Sequence, residues 1–194
     1  DSLYTEIQKV KDKHTPIIFM GHLQATGSEV SENDRSERTI IGGIESVSPE
    51  VFDKEDIVYT ALGHLHKAQR VSTRENVRYA GAPLPMSFSE KYYKQGVNLI
   101  EIENNQLKSI ERIDFEPLVK LISIPKQPRP LAEVLHEIAK LEDGEITSNS
   151  PYLELKVLLT EPEPSMRSQI EDALKNKAVR LAIATPYRER REQE

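Results

Sequence analysis

The sequence predicts a mixed α/β (α+β) protein built from two units. Three observations carry this expectation. Two apolar runs, Ile17-Ile18-Phe19-Met20 and Ile57-Val58-Tyr59-Thr60-Ala61-Leu62, have the length and β-branched content of buried strands. Two further strand patterns, 96–102 and 107–115, flank Glu103-Asn104-Asn105-Gln106, a short hairpin signal. After Pro117 the pattern alternates strand, helix, strand, helix, strand as far as Tyr187, the order of a small β-α-β-α-β unit. The expected organisation is therefore one unit over 1–115, a second over 117–187 and the start of a charged linker over 188–194.

Each element has a local cause. Leu3, Ile7 and Val10 recur at helical spacing within 2–13, with Asp1 or Ser2 as cap and Glu6 in the early turns. Pro16 ends that helix and opens the strand 17–20. Residues 24–38 are polar and read as a loop. A short strand broken by glycines follows at 39–44. Ser48-Pro49-Glu50-Val51-Phe52 places proline at the first position of a one-turn helix. The strand 57–62 leads to a basic stretch, Lys67-Ala68-Gln69-Arg70, then to a short strand 76–79 and a rigid loop, Gly81-Ala82-Pro83-Leu84-Pro85. In the second unit, 119–124 reads as a strand and 125–130, with three prolines, as a stiff connector. Leu131, Val134, Leu135, Ile138 and Leu141 share one helix face, closed by Asp143-Gly144. A strand over 152–159, a helix over 166–175 opened by Pro164 or Ser165, and a strand over 178–185 complete the unit.

Composition narrows the function. The net charge of −6 argues against broad electrostatic coating of nucleic acid, while leaving room for a local basic strip. No apolar run approaches the roughly 20 residues of a membrane span. With no cysteines there is no disulfide framework, and a cytoplasmic setting is expected. The sequence starts at Asp1 and ends in a charged run, so it reads as an internal segment of a longer protein. A cleaved signal peptide is the rival explanation, and the absence of cysteine lends it no support.

The chemistry concentrates in histidine. Both buried-strand patterns end in Gly-His: Gly21-His22, and Gly63-His64-Leu65-His66. Imidazole is the commonest neutral metal ligand, and a glycine beside it lets backbone approach closely. In extended backbone His64 and His66 would share a face; at a strand end turning into a loop they can straddle two ions instead. A single histidine is more often a packed polar group, but two Gly-His pairs that both end apolar runs favour a metal site. His14 and His136 carry no such context. Three imidazoles do not complete a two-metal site, which also needs a bridging carboxylate. Asp34, Asp53 and Asp56 sit in loops, so the missing carboxylates are expected upstream of Asp1. Lys67, Arg70 and Arg78 lie close in sequence to the histidines. They either form a local basic strip beside such a site or are solvated surface charges.

Gly21-His22 and Gly63-His64-Leu65-His66 resemble the last two motifs of the calcineurin-like metallophosphoesterases. The longer stretches Gly21-His22-Leu23-Gln24-Ala25-Thr26-Gly27, Ile41-Gly42-Gly43, Tyr59-Thr60-Ala61-Leu62-Gly63-His64-Leu65-His66-Lys67-Ala68-Gln69 and Val77-Arg78-Tyr79-Ala80-Gly81-Ala82-Pro83-Leu84-Pro85-Met86-Ser87-Phe88 are similar to the SbcD family, bacterial nuclease subunits of double-strand-break repair. The resemblance implies a phosphoesterase β-sandwich flanked by helices, of which 1–115 would be the C-terminal half, followed by a capping domain. It implies two divalent ions, manganese first among them, with His22 and His64 on one and His66 on the other. The family's earlier motifs, Asp-x-His, Gly-Asp-x-x-Asp and Gly-Asn-His-Asp/Glu, supply the remaining ligands, and none of them is expected in this sequence. The fragment alone is thus expected to be inactive and its parent to hydrolyse DNA phosphodiesters. The implied partners are DNA, an SbcC-type coiled-coil ATPase engaged through segments beyond Glu194, and a second copy of the parent in a homodimer. A metallophosphoesterase for small phosphoesters, or a non-enzymatic interaction module with structural histidines, are the alternatives.

Overall fold

The computed structural model describes residues 2–30 and 46–188, in two compact units, Asp1–Glu116 and Pro117–Glu194. The class is the predicted one: the described residues hold three α-helices and nine strands, and the strands form three separate sheets. The predicted strand over 39–44, like Asp34 and the charged terminal run after Arg188, lies outside the described residues.

In the first unit, helix α1 (Ser2–Val10) stops short of the predicted end, and a turn closed by Thr15 N donating to Asp12 O (3.1 Å) leads into β1 (Ile17–His22). Strands β1, β2 (Ile57–Gly63) and β4 (Arg74–Tyr79) run parallel. A short strand, β3 (Gln69–Val71), joins β4 antiparallel, giving the order β1-β2-β4-β3. β3 lies where the sequence suggested only a basic stretch. Three residues with a polar face carry no periodicity of their own, and pairing with β4 creates the strand. The central strand β2 buries Ile57, Tyr59, Thr60 and Leu62, which accounts for its unbroken apolar run. Phe52, Leu62, Leu65, Val71, Val77 and Tyr79 form the core, with the Phe19 and Phe52 rings 5.1 Å apart. Pro49–Phe52 is a 3-10 turn with proline at its start, as the sequence suggested.

Strands β5 (Gln95–Glu103) and β6 (Gln106–Phe115) form the predicted hairpin. Its two turn residues, Asn104 and Asn105, have φ of +51° and +64°, the primed-turn geometry that asparagine tolerates. Asn98 Nδ2 donates to Tyr59 Oη (3.3 Å) and Arg112 Nη1 to Ala80 O (2.7 Å), which ties the hairpin to β2 and to the end of β4.

In the second unit β7 (Leu121–Pro130), β8 (Tyr152–Leu159) and β9 (Arg180–Arg188) are all parallel, in the order β7-β8-β9. Helices α2 (Leu131–Ala139) and α3 (Met166–Leu174) are the two crossovers, completing the predicted β-α-β-α-β order. Leu153, Leu155 and Val157 alternate along β8 into a core with Val134, Ile138 and Ile170, all fully buried. One expectation is overturned. The three-proline stretch 125–130 is the second half of β7, not a connector. β7 is an edge strand, so prolines there remove no ladder donor that a neighbour needs, and the pairing register shifts between Ile124 and Arg129 to absorb them. Pro186 is tolerated in β9 for the same reason. No helix among the described residues is long and apolar enough to cross a membrane.

Asp56, just ahead of β2, anchors α1. Tyr4 Oη donates to Oδ1 (2.6 Å), Gln8 Nε2 to Oδ2 (2.6 Å), and Lys11 Nζ lies 3.1 Å from Oδ2. Burial pushes this carboxyl up, but the three donors outweigh it and hold it at about 2, against 3.8 ordinarily. A lowered folded value stabilises the fold above the unfolded value and loses that contribution as pH falls through the folded one. The first unit should therefore lose about 1–2 kcal/mol of stability between about pH 4 and pH 2 through this group. Asp56→Asn should flatten that part of the acid limb in a melting-temperature series across pH. In the second unit, Leu155→Ala should destabilise by about 2–5 kcal/mol, read by denaturant unfolding.

Candidate metal centre

Parallel pairing of β1 with β2, and of β2 with β4, brings three carboxyl-terminal strand ends to one edge of the sheet. In register His22 lies opposite Gly63, and Leu62 opposite Tyr79. β1 ends in His22 itself, and the loops after β2 and β4 carry His64 and His66, then Gly81. Ligands of open α/β sheets bind beyond such ends. Gly63 has a steric role here. A Cβ on it would stand 2.9 Å from His22 Nδ1, so only glycine lets that ring lie against the neighbouring strand. The His22 and His64 rings meet edge to face, with centroids 5.4 Å apart and planes at 76°. His64 has φ +102°, a backbone conformation that a non-glycine residue seldom adopts and that recurs at functional sites.

The loops are held from beneath. Tyr79 is buried at the end of β4; its hydroxyl donates to Leu23 O (2.9 Å) and accepts from Ala25 N (2.8 Å). Leu23 N donates to Gly63 O (3.3 Å). The third loop grips the second: Ala82 N donates to His66 O (2.9 Å), and Gly81, at φ +84°, approaches so closely that a Cβ would lie 2.8 Å from the same oxygen.

His66 has a partner that sequence reasoning missed. Its Nδ1 lies 2.9 Å from Oε1 of Glu90, whose side chain is fully buried. Glu90 Oε2 accepts from Met86 N (2.9 Å), and Ser87 Oγ lies 3.3 Å from Oε1. The local signal, Ser87-Phe88-Ser89-Glu90, reads as a helix capping box. The 3-10 turn Phe88–Glu90 that it opens has no side-chain cap, because the glutamate turns inward to the imidazole instead. Asp53 and Asp56 serve structure: Arg74 grips both oxygens of Asp53 (2.7 and 2.5 Å), and Asp56 anchors α1. Asp12-Lys13-His14 spells Asp-x-His, but it lies in the turn after α1, where His14 N donates to Asp12 Oδ1 (3.1 Å). His136 is on the exposed side of α2.

The donor set suits part of a metal centre. It offers two adjoining imidazoles, and a third backed by a carboxylate in the manner of metal-ligating histidines. Among the described residues no group of three or more His, Cys, Asp or Glu side chains is arranged to hold an ion by itself. Lys67, Arg70 and Arg78 do come together, lining a cleft of about 380 Å³ with Tyr92, Lys94 and Arg112. Each has a carboxylate partner: Lys67 with Glu29, and Arg70 and Arg78 both with Glu75. The hydrogen bond from Lys67, reinforced by its charge, holds the Glu29 carboxyl below its ordinary range.

Comparison with known proteins shows what the chain is similar to. Residues 117–194 match the SbcD_C family, described as the type 5 capsule protein repressor C-terminal domain. The chain is 29% identical over 192 residues to the SbcD subunit of the nuclease SbcCD from Escherichia coli K12, covering 97% of this chain and 46% of that protein. It is 32% identical over 172 residues to the protein of the same name from Rhodobacter capsulatus (88% and 41%), and 34% over 110 residues to that of Staphylococcus epidermidis (57% and 28%). The chain spans about half the length, or less, of these curated relatives. Together the matches support an SbcD C-terminal region.

Tyr79→Phe keeps the ring and removes the hydroxyl, leaving Ala25 N without its acceptor and Leu23 O without its donor. The loss should be about 1–3 kcal/mol by denaturant unfolding. The same variant should shift the His22 imidazole resonances more than those of His136.

Proposed function

We propose that this region is the C-terminal part of a manganese-dependent DNA nuclease subunit that acts in repair and recombination, and that it carries only part of the active site. The observation that supports the reading most is the meeting of His22 and His64 at adjoining parallel strand ends, with His66 two residues on and backed by a buried carboxylate. The nuclease name of the relatives supports it independently.

In this reading His22 and His64 hold one divalent ion and His66 the other. When bound, such ions supply Lewis acidity toward a phosphodiester and acidify a water. The protein's share is positional: the Tyr79 hydroxyl and the Gly81 contact fix the loops, and Glu90 orients His66. Lys67, Arg70 and Arg78 line a cleft where DNA phosphates displace the carboxylates that now pair with them. The exchange trades exposed ion pairs, each worth little, for phosphate contacts that release counterions. The reading includes an SbcC-type ATPase partner, a homodimeric parent and a cytoplasmic site of action on bacterial DNA. The chain alone is inactive in this reading, since its three imidazoles lack a bridging carboxylate among the described residues.

The test is cleavage of linear duplex DNA by the full-length protein containing this chain, with and without Mn²⁺. Cleavage should require the metal, should be abolished by His64→Ala, and should be absent from the isolated chain. Activity confined to small phosphoesters, or unaffected by loss of His64, would overturn the reading.

A further inference from the structure

Glu90 lies 24 residues from His66 in sequence and contributes a fully buried carboxylate to a site otherwise built on strand ends. Its two oxygens are differently engaged. Oε2 accepts from the backbone N–H of Met86, a donor that cannot reverse its role. Oε1 faces His66 Nδ1 at 2.9 Å. With Glu90 as the carboxylate, which has no proton to give, the imidazole donates at Nδ1. Neutral His66 therefore carries its proton on Nδ1 and keeps the lone pair on Nε2. Burial prevents Glu90 from swinging away, and the grip of Ala82 N and Gly81 on His66 O fixes the backbone of the same residue.

We infer that Glu90 is a positioning residue: it locks His66 in the Nδ1–H tautomer and so presents Nε2 as the donor toward a divalent cation. The inference rests on the metal reading for its consequence, but not for the tautomer itself. It predicts an unusual response to an isosteric change. In Glu90→Gln the Met86 N–H still requires an oxygen, so the amide oxygen takes that place and the NH₂ group turns toward His66. Nδ1 must then accept, the proton moves to Nε2, and the metal-binding lone pair is lost.

The experiment is long-range ¹H–¹⁵N correlation of the histidine rings in the chain at mildly alkaline pH, where imidazoles are neutral, followed by titration with Mn²⁺ or Zn²⁺. In the unsubstituted chain His66 should show a protonated Nδ1 and an unprotonated Nε2. In Glu90→Gln the pattern should invert, and the affinity at His66 should fall by about 10–100-fold, the usual effect of removing such a partner. A protonated Nε2 in the unsubstituted chain overturns the inference without any substitution that could affect folding. So does an unchanged tautomer in a folded Glu90→Gln. If the Nδ1–H tautomer is present and inverts on substitution, but neither ion binds the full-length protein containing this chain, the positioning role stands and the metal reading fails.

Discussion

The pairing of β1 with β2 places the His22 ring against Gly63, where any side chain would collide with it. Much else at this edge of the sheet follows from that contact. Parallel register puts the two Gly-His strand ends side by side, and the missing Cβ lets one imidazole cross toward the other strand. The unusual backbone of His64 then turns its ring to meet His22 edge to face. Without the last turn away from extended geometry, alternation would send His64 and His66 to a common face. With it, His64 joins His22 and His66 joins Glu90.

A second layer keeps this arrangement from relaxing. The loops after β1 and β2 anchor Ala25 and Leu65 in the core, and hydrogen bonds define the rest of their paths. Tyr79 supplies two, one donated and one accepted, from the buried end of β4. Ala82 and Gly81 close on the His66 carbonyl from the third loop. The first unit thus commits buried polar groups to its strand ends, whereas the second unit packs a conventional apolar core between two crossover helices and a parallel sheet.

Much of this was legible in the residues. Strands β1 and β2 announced themselves as apolar runs, and glycine followed by histidine at both ends marked the metal-binding candidates. The β-α-β-α-β order of the second unit followed from the change between strand and helix periodicity. The prolines of β7 misled, because a proline run signals a stiff connector unless the strand is known to lie at an edge, and edge position is a property of the whole sheet. β3 was hidden because its three residues become a strand only through their partner. Glu90 was hidden for a different reason. Its sequence neighbours describe a capping box, and nothing local discloses that the side chain turns instead to a histidine brought close by the fold. The Lys67–Glu29 ion pair, 38 residues apart in sequence, is likewise hidden, whereas Arg70 and Arg78 pair with the nearby Glu75.

The most direct measurement is the paramagnetic broadening of the five histidine ring signals when Mn²⁺ is added to the chain. Three imidazoles gathered at strand ends should broaden first: His22, His64 and His66, with His14 and His136 sharp until far more metal is present. Uniform broadening of all five, or earlier loss of His14 or His136, would contradict a metal centre at the ends of β1 and β2.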